Sequence, residues 1–424
     1  MIRNPKKFEL KEGTFSGGKL VSNFAPVERD YSYLLSLCGF DSLEIEEKKC
    51  CCDIGEDGYV LDIANDGISV CVKCEEGLSN ALKMLAVLKE KHGDAIPCMK
   101  IIDEPDIKFR GMHLCIFNPD DGTEKEDTNP EDIKRRIIKA ALAGYNYIFM
   151  EFWGMFPYKK RPYAAWPKAY TREAVEEIIS LAIDKLHITP LPCQNLTSHA
   201  GWSRIASRKH VVLDQRPDLS DMWVPGGWCF ATENPDTQEY LRDIMDDLLE
   251  TFRNPPYFHT SCDKCFGFGS TEEDRTKPAD ILFANHICRL NTYLQEKGTR
   301  MVMWGDMLYS SMDSLTWKPN PIIADMLPKN ILINVWTHND IGDYWADVDF
   351  FESRGYQTVY SPFINRKGTE NMVKLCRRKG SLGIVQTTWH RPETAFPSSM
   401  YSALVQWNGE IHTPKEVELY ERLF

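Results

Sequence analysis

Ile102-Asp103-Glu104-Pro105 marks the point where the pattern of this chain changes. Just beyond it, Gly111-Met112-His113-Leu114-Cys115-Ile116-Phe117 is the first of eight short apolar runs separated by helical stretches. The other seven cover residues 147–152, 188–194, 257–262, 300–304, 331–336, 357–361 and 384–389. Short continuous apolar runs of this kind suit strands buried on both faces. The intervening helices announce their own starts. Asn129-Pro130-Glu131-Asp132 precedes a helix expected over 133–142, Thr171 one over 172–186, and Asn234-Pro235 one over 236–252; another is expected over 279–295. A capping side chain followed by Pro in the first turn is helix-start chemistry. Eight strand–helix units predict a TIM (β/α)8 barrel over residues 108–424.

Residues 1–107 read as a smaller N-terminal α/β domain, so the fold class is α/β throughout. A short helix is expected over 31–37. Strands over 59–63 and 68–72 are joined through Asn65-Asp66-Gly67, which is hairpin chemistry. Leu78, Ala81, Leu82, Leu85 and Leu88 then recur at helical spacing. No reactive constellation appears here, which predicts a packing role. All 11 Trp residues lie at or after Trp153, so the two parts are expected to have different tasks.

Composition narrows the function. With 50 basic and 62 acidic side chains in 424 residues, the net charge is -12, and no basic stripe is interleaved with aromatics. A nucleic-acid partner is therefore not expected. The basic N-terminus has no apolar run after it, and no stretch reaches the length of a membrane span. A cytoplasmic protein without a membrane partner is the expectation, with its 14 cysteines reduced. Cys71-Val72-Lys73-Cys74 and Cys262-Asp263-Lys264-Cys265 each lack a second ligand pair, so no metal and no cofactor is expected.

In such a barrel, chemistry sits at the C-terminal strand ends. These carry Asn118, Glu151 with Trp153, Gln194-Asn195, Asp263-Lys264, Trp304 with Asp306, Trp336 with His338 and Asp340, and Trp389-His390. Aromatic walls with a few carboxylates are what a sugar needs, because its C–H faces stack on rings and its hydroxyls need partners.

The order of motifs along the chain resembles glycoside hydrolase family 20, the β-N-acetylhexosaminidases, and within it the hexosaminidase D-like branch. Phe109-Arg110-Gly111-Met112-His113-Leu114 resembles the family's entry into barrel strand one, and Glu151-Phe152-Trp153 its strand two. Gln194-Asn195-Leu196-Thr197-Ser198-His199 is similar to its strand three. His259-Thr260-Ser261-Cys262-Asp263 is similar to the strand-four signature His-x-Gly-x-Asp-Glu. Trp304-Gly305-Asp306-Met307 and Trp389 fit later positions.

The resemblance implies substrate-assisted retention, in which the 2-acetamido carbonyl of the sugar attacks its own anomeric carbon. The family's Asp stabilises the resulting oxazolinium, and the Glu after it protonates the leaving oxygen. Asp263 matches the Asp; the Glu position holds Lys264. Asn118 lies near a sugar-binding Arg of many members. Glu151 and His199 match a carboxylate–histidine pair that backs the acid.

The implied function is exo-hydrolysis of a terminal β-linked N-acetylhexosamine, GalNAc or GlcNAc, from an oligosaccharide or glycoconjugate. Asp263, His199 and Glu151 are the expected catalytic residues. Lys264, Trp304, Asp306, Trp336, His338, Trp389, Asn118 and Trp153 are expected to bind substrate. Loss of the Glu leaves three readings: an acid relocated to His199 supported by Glu151, a pocket that binds without cutting, or a Lys264 that recognises an anionic group on the substrate.

Overall fold

A computed structural model describes residues 5–46, 53–116, 129–202, 211–311, 320–389 and 392–422. Asn118 and His390, both expected on the rim, lie outside the described residues.

The N-terminal part is a six-stranded sheet in the order β1-β6-β4-β5-β2-β3. Its strands are β1 (Lys7–Thr14), β2 (Lys19–Ser22), β3 (Glu44–Ile45), β4 (Tyr59–Ala64), β5 (Gly67–Val72) and β6 (Pro97–Asp103), with helices α1 (Ser32–Cys38) and α2 (Glu75–His92). The β4–β5 hairpin forms as expected, with Ala64 opposite Gly67 and only Asn65-Asp66 between them. Leu78, Ala81, Leu82 and Leu85 of α2 are fully buried.

The second sheet has eight parallel strands: β7 (Phe109–Cys115), β8 (Tyr147–Glu151), β9 (Thr189–Pro192), β10 (Tyr257–His259), β11 (Arg300–Trp304), β12 (Leu332–Trp336), β13 (Thr358–Ser361) and β14 (Gly383–Gln386). Strands β10 through β14 pair in sequence, β14 pairs with β7, and β7, β8 and β9 complete the order. A parallel bridge between Cys193 and His259 joins β9 to β10 and closes the circle. Phe109, Phe149, Leu191, Val302, Leu332, Val359 and Val385, one from each of seven strands, fill the lower interior. This is a packed barrel core, not a pore. A Cβ on Gly383 would overlap the Phe109 carbonyl, so the β14–β7 seam requires glycine there.

The helices are α3 (Pro130–Ala143), α4 (Arg172–Ser180), α5 (Val212–Gln215), α6 (Pro235–Thr251), α7 (Ala279–Glu296), α8 (Pro321–Met326), α9 (Ala346–Glu352), α10 (Arg366–Lys379), α11 (Pro392–Asn408) and α12 (Pro414–Arg422). Asn129, Thr171 and Asn234 cap α3, α4 and α6 through their side chains. The eight expected strands are all present; β10 and β14 each end three residues earlier than expected, and the departure at β10 shapes the site. Strand β10 ends at His259 rather than Cys262, because Ser261 and Cys262 take left-handed backbone angles (φ 58° and 63°) that cannot continue a strand.

The N-terminal sheet meets helix α11 of the barrel part at Asp103, the last residue of β6. Its Oδ2 accepts hydrogen bonds from Tyr59 OH at 3.1 Å and Trp407 Nε1 at 2.9 Å. The Arg110 guanidinium lies 5.0 Å over the Trp407 ring. Asp103→Ala removes an acceptor shared by both parts and is expected to lower unfolding stability by about 2–4 kcal/mol in urea titrations, whereas Trp407→Phe, which loses one bond, costs about 1–2 kcal/mol.

Candidate active site

The early end of β10 builds the site. Ser261 N–H donates to His259 Nδ1 at 3.0 Å, and Trp304 N–H to the Ser261 carbonyl at 3.0 Å. Ser261, Cys262 and Lys264 all have positive φ, the last at 48°. Ser261 stands where the resembled signature has Gly, the residue for which that conformation is free of Cβ strain. The turned loop is pinned from both sides. Ser198 Oγ donates to the Asp263 carbonyl, and Trp228 Nε1 donates to the Lys264 carbonyl at 2.6 Å.

Asp263 is buried and has three polar neighbours. Asn195 Nδ2 donates to Oδ1 at 2.8 Å, Lys264 Nζ donates to Oδ2 at 2.8 Å, and His199 Nε2 lies 3.5 Å from Oδ2. Burial alone would raise its pKa, but the charges of Lys264 and His199 hold it well below the usual carboxylate range. The Lys264 ammonium responds in the opposite sense. Burial lowers its pKa, while Asp263 and then Asp306 raise it above the ordinary lysine value. Burial and the neighbouring Asp263 push Asp306 up to about 6, against the attraction of Lys264 and a 3.2 Å bond from Trp336 Nε1.

The tryptophans divide into floor and wall. Trp304 is fully buried, 4.4 Å from the His259 ring and 5.2 Å from Trp389. It is floor, which corrects the expectation of a sugar-facing wall. Trp153 is buried too, with Nε1 donating to Cys115 Sγ at 3.4 Å. Trp336 and Trp389 remain partly exposed and flank the ammonium, which lies 5.1 Å over the first ring and 5.8 Å over the second. Trp389 Nε1 is a buried donor without a partner among the described residues. His338 is exposed beside Trp336 and Phe363. Asp340 closes a turn by accepting from Gly342 N–H and Asn371 Nδ2, so it is a structural rim residue.

The expected Glu151–His199 pair does not form. Glu151 Oε2 pairs with His113 Nε2 at 3.1 Å, and Cys115 Sγ donates to the same oxygen at 3.4 Å. His113 is on β7, directly beside the strand carrying Glu151, and it is the histidine that meets the carboxylate. Donor atoms of His113, Glu151 and Cys193 lie within 4.8 Å of one another, the one group of three possible metal ligands among the described residues. Burial, with the charge of Glu151, raises the Cys193 thiol well above its ordinary pKa, which opposes the thiolate a metal needs. The contact between His113 and Glu151 already occupies the other two.

Three contributors were missed by sequence reasoning. Asn195 stands at a strand end but was given no role there, yet it orients Asp263 and its Oδ1 accepts from the Thr197 and Ser198 N–H groups. Trp228 lies in the long loop after β9; its ring sits 4.6 Å from that of His199. No periodic signal marks such a loop residue. His113 was hidden as an apolar-strand residue.

Comparison with known proteins agrees with this architecture. The sequence profile described as "Glycosyl hydrolase family 20, catalytic domain" matches residues 146–371. Among solved structures, the chain is similar to a β-N-acetylhexosaminidase from Bacteroides fragilis, with 19% identity, 97% of this chain and 92% of that chain covered, and a TM-score of 0.72. It is also similar to an exo-β-N-acetylglucosaminidase from Vibrio harveyi in complex with N-acetylglucosamine (15% identity, 99% and 76% covered, TM-score 0.74). A third likeness is to an N-acetyl-β-hexosaminidase from Streptomyces plicatus in complex with Thio-NAglucal (14% identity, 95% and 89% covered, TM-score 0.66). At these identities the structures speak for the fold.

The Asp306 carboxyl gives the site a measurable pH signature. Its folded pKa of about 6 lies above the ordinary 3.8, so the neutral form is favoured on folding. Its contribution to stability is full below about pH 4 and is lost as pH rises through 6. Relative to wild type, Asp306→Asn should therefore gain up to about 3 kcal/mol between pH 4 and pH 7 in paired denaturant titrations.

Proposed function

The chain belongs to glycosyl hydrolase family 20, and we propose that its barrel mouth hydrolyses a terminal β-linked N-acetylhexosamine by substrate-assisted retention. The carrying observation is Asp263, a buried carboxylate kept ionised first by the Lys264 ammonium at 2.8 Å and then by His199 at 3.5 Å, and oriented by Asn195 at 2.8 Å. In this reading the acetamido carbonyl oxygen attacks C1, and the fixed carboxylate accepts the acetamido N–H as positive charge develops on the oxazolinium. A preorganised charge of this kind acts without reorganisation cost in the transition state. The Trp336 and Trp389 rings offer apolar faces to the sugar.

The proton-transfer group in this reading is Asp306. A carboxyl near pKa 6 populates both protonation states at working pH, which acid–base exchange requires. His199 Nε2 faces Asp263 Oδ2 at 3.5 Å. His199 therefore positions Asp263, and Glu151 supports the strand ends through His113. The structural neighbour holding N-acetylglucosamine supports an amino-sugar ligand; GalNAc and GlcNAc remain the two sugars to compare. The hexosaminidase D-like branch is part of the proposal, on the strength of the strand motifs. So is a cytoplasmic setting, supported by 11 described cysteines that are all free thiols.

A second reading, sugar binding without cleavage, draws on the 2.8 Å ion pair between Lys264 and Asp263, which partly neutralises the group the mechanism needs. Aryl β-GalNAc and β-GlcNAc substrates decide between them, because an activated leaving group needs little protonation. Asp263→Asn is expected to lower kcat on the aryl substrate by about 100-fold or more. Asp306→Asn should flatten the pH–rate profile near 6. Saturable binding with no turnover of any substrate would establish the second reading, and turnover untouched by Asp263→Asn would rule out substrate assistance.

A further inference from the structure

A glycosidase needs a general acid because an alkoxide leaves poorly; the proton must arrive as the C–O bond breaks. Lys264 holds the position after Asp263, and an ammonium paired at 2.8 Å with that carboxylate is a poor proton donor. It is, however, well fixed. Its carbonyl accepts from Trp228 Nε1, its Nζ donates to Asp263 Oδ2 at 2.8 Å, and the rings of Trp336 and Trp389 flank it. Asp263 occupies one of its three N–H donors. The Asp263 side chain is 7% exposed and that of Lys264 36%, so the cation, not the carboxylate, meets solvent at the mouth.

A fixed cation stabilises charge on a departing oxygen without moving a proton. That suits a leaving group that departs as an anion. We propose that this site cleaves 2-acetamido sugars bearing a phosphate on the β-anomeric oxygen, with Lys264 holding the departing phosphate; the inference rests on the substrate-assisted reading above. The acetamido oxygen forms a bond to C1 as the C1–O bond to phosphate breaks, and that electron pair stays on the phosphate oxygen. Asp263 holds the N–H of the oxazolinium. Water then adds to C1 and reopens the ring, and its proton passes to the Asp306 carboxylate and on to solvent. The sum is hexosaminyl phosphate plus water giving N-acetylhexosamine plus inorganic phosphate, with no change of oxidation state.

The test uses the full chain with three β-linked forms of GlcNAc and GalNAc: the 1-phosphate, the p-nitrophenyl glycoside and the methyl glycoside. The phosphate is expected to be cleaved with a kcat/KM at least about 100-fold above that of the methyl glycoside. Lys264→Met should lower the phosphate-to-p-nitrophenyl ratio by about 100-fold, and Lys264→Glu should shift the preference toward the methyl glycoside. If p-nitrophenyl turnover is present and lost in Asp263→Asn, yet phosphate is no better than methyl or the ratio ignores Lys264→Met, this inference is overturned while the hexosaminidase reading stands. Should neither p-nitrophenyl nor phosphate substrate turn over, both fall. A 6-sulfated p-nitrophenyl glycoside completes the set: selective cleavage of it, without phosphate release, would move the anion to the sugar ring and also overturn the inference. If the variants do not fold, the wild-type phosphate-to-methyl ratio decides alone.

Discussion

The contact between the side chains of Asp263 and Lys264 constrains everything else at the mouth of the barrel. Adjacent residues on an extended strand point to opposite faces, so they cannot form an ion pair there. They meet at 2.8 Å because the chain leaves β10 at His259 and turns through left-handed angles at Ser261, Cys262 and Lys264. Such angles cost on the order of 1–2 kcal/mol for a non-glycine residue, and strain of this kind persists only where surroundings over-determine it. Here the surroundings are His259 Nδ1, Ser198 Oγ and Trp228 Nε1, each bonded to the loop backbone.

Once that pair is in place, the electrostatics of the pocket follow. A buried carboxylate beside a cation stays ionised, and the next carboxylate along, Asp306, carries the cost of a second negative charge in the same confined space. It is displaced to about 6, while Asp263 moves the other way. Two carboxyls of ordinary chemistry thus separate into a permanent anion and a titrating group, the usual route by which one site holds distinct acid–base roles. Trp336 links the two halves, donating to Asp306 while its ring lies under the ammonium.

The supporting side chains come from far apart in sequence. Asn195 and His199 follow β9, Trp228 comes from the long loop beyond, and Trp389 from the segment just after β14. Closure of the barrel through the Cys193–His259 bridge brings the β9 and β10 ends together, and with them Asn195 and Asp263. The direct pairing of β7 with β8 sets His113 beside Glu151. A barrel of this kind lets the rim vary while the layer of Phe109, Phe149 and Leu191 below it stays packed.

The alternation of short apolar runs with capped helices was enough to read the α/β class, the eight barrel strands and the smaller sheet ahead of them, because strand and helix periods are local properties. The absence of Trp before Trp153 likewise marked the part without rim aromatics. The motif around Asp263 was legible as well, including its unusual lysine. What the sequence could not determine was pairing on the rim. Which histidine meets Glu151, whether Trp304 is wall or floor, and that Asn195 grips Asp263 all depend on distances between strand ends tens of residues apart. So does the charge state of Asp306. Local pattern specifies the elements, but only tertiary closure, with the left-handed turn after β10, decides which polar groups share a buried space and therefore which of them hold a charge.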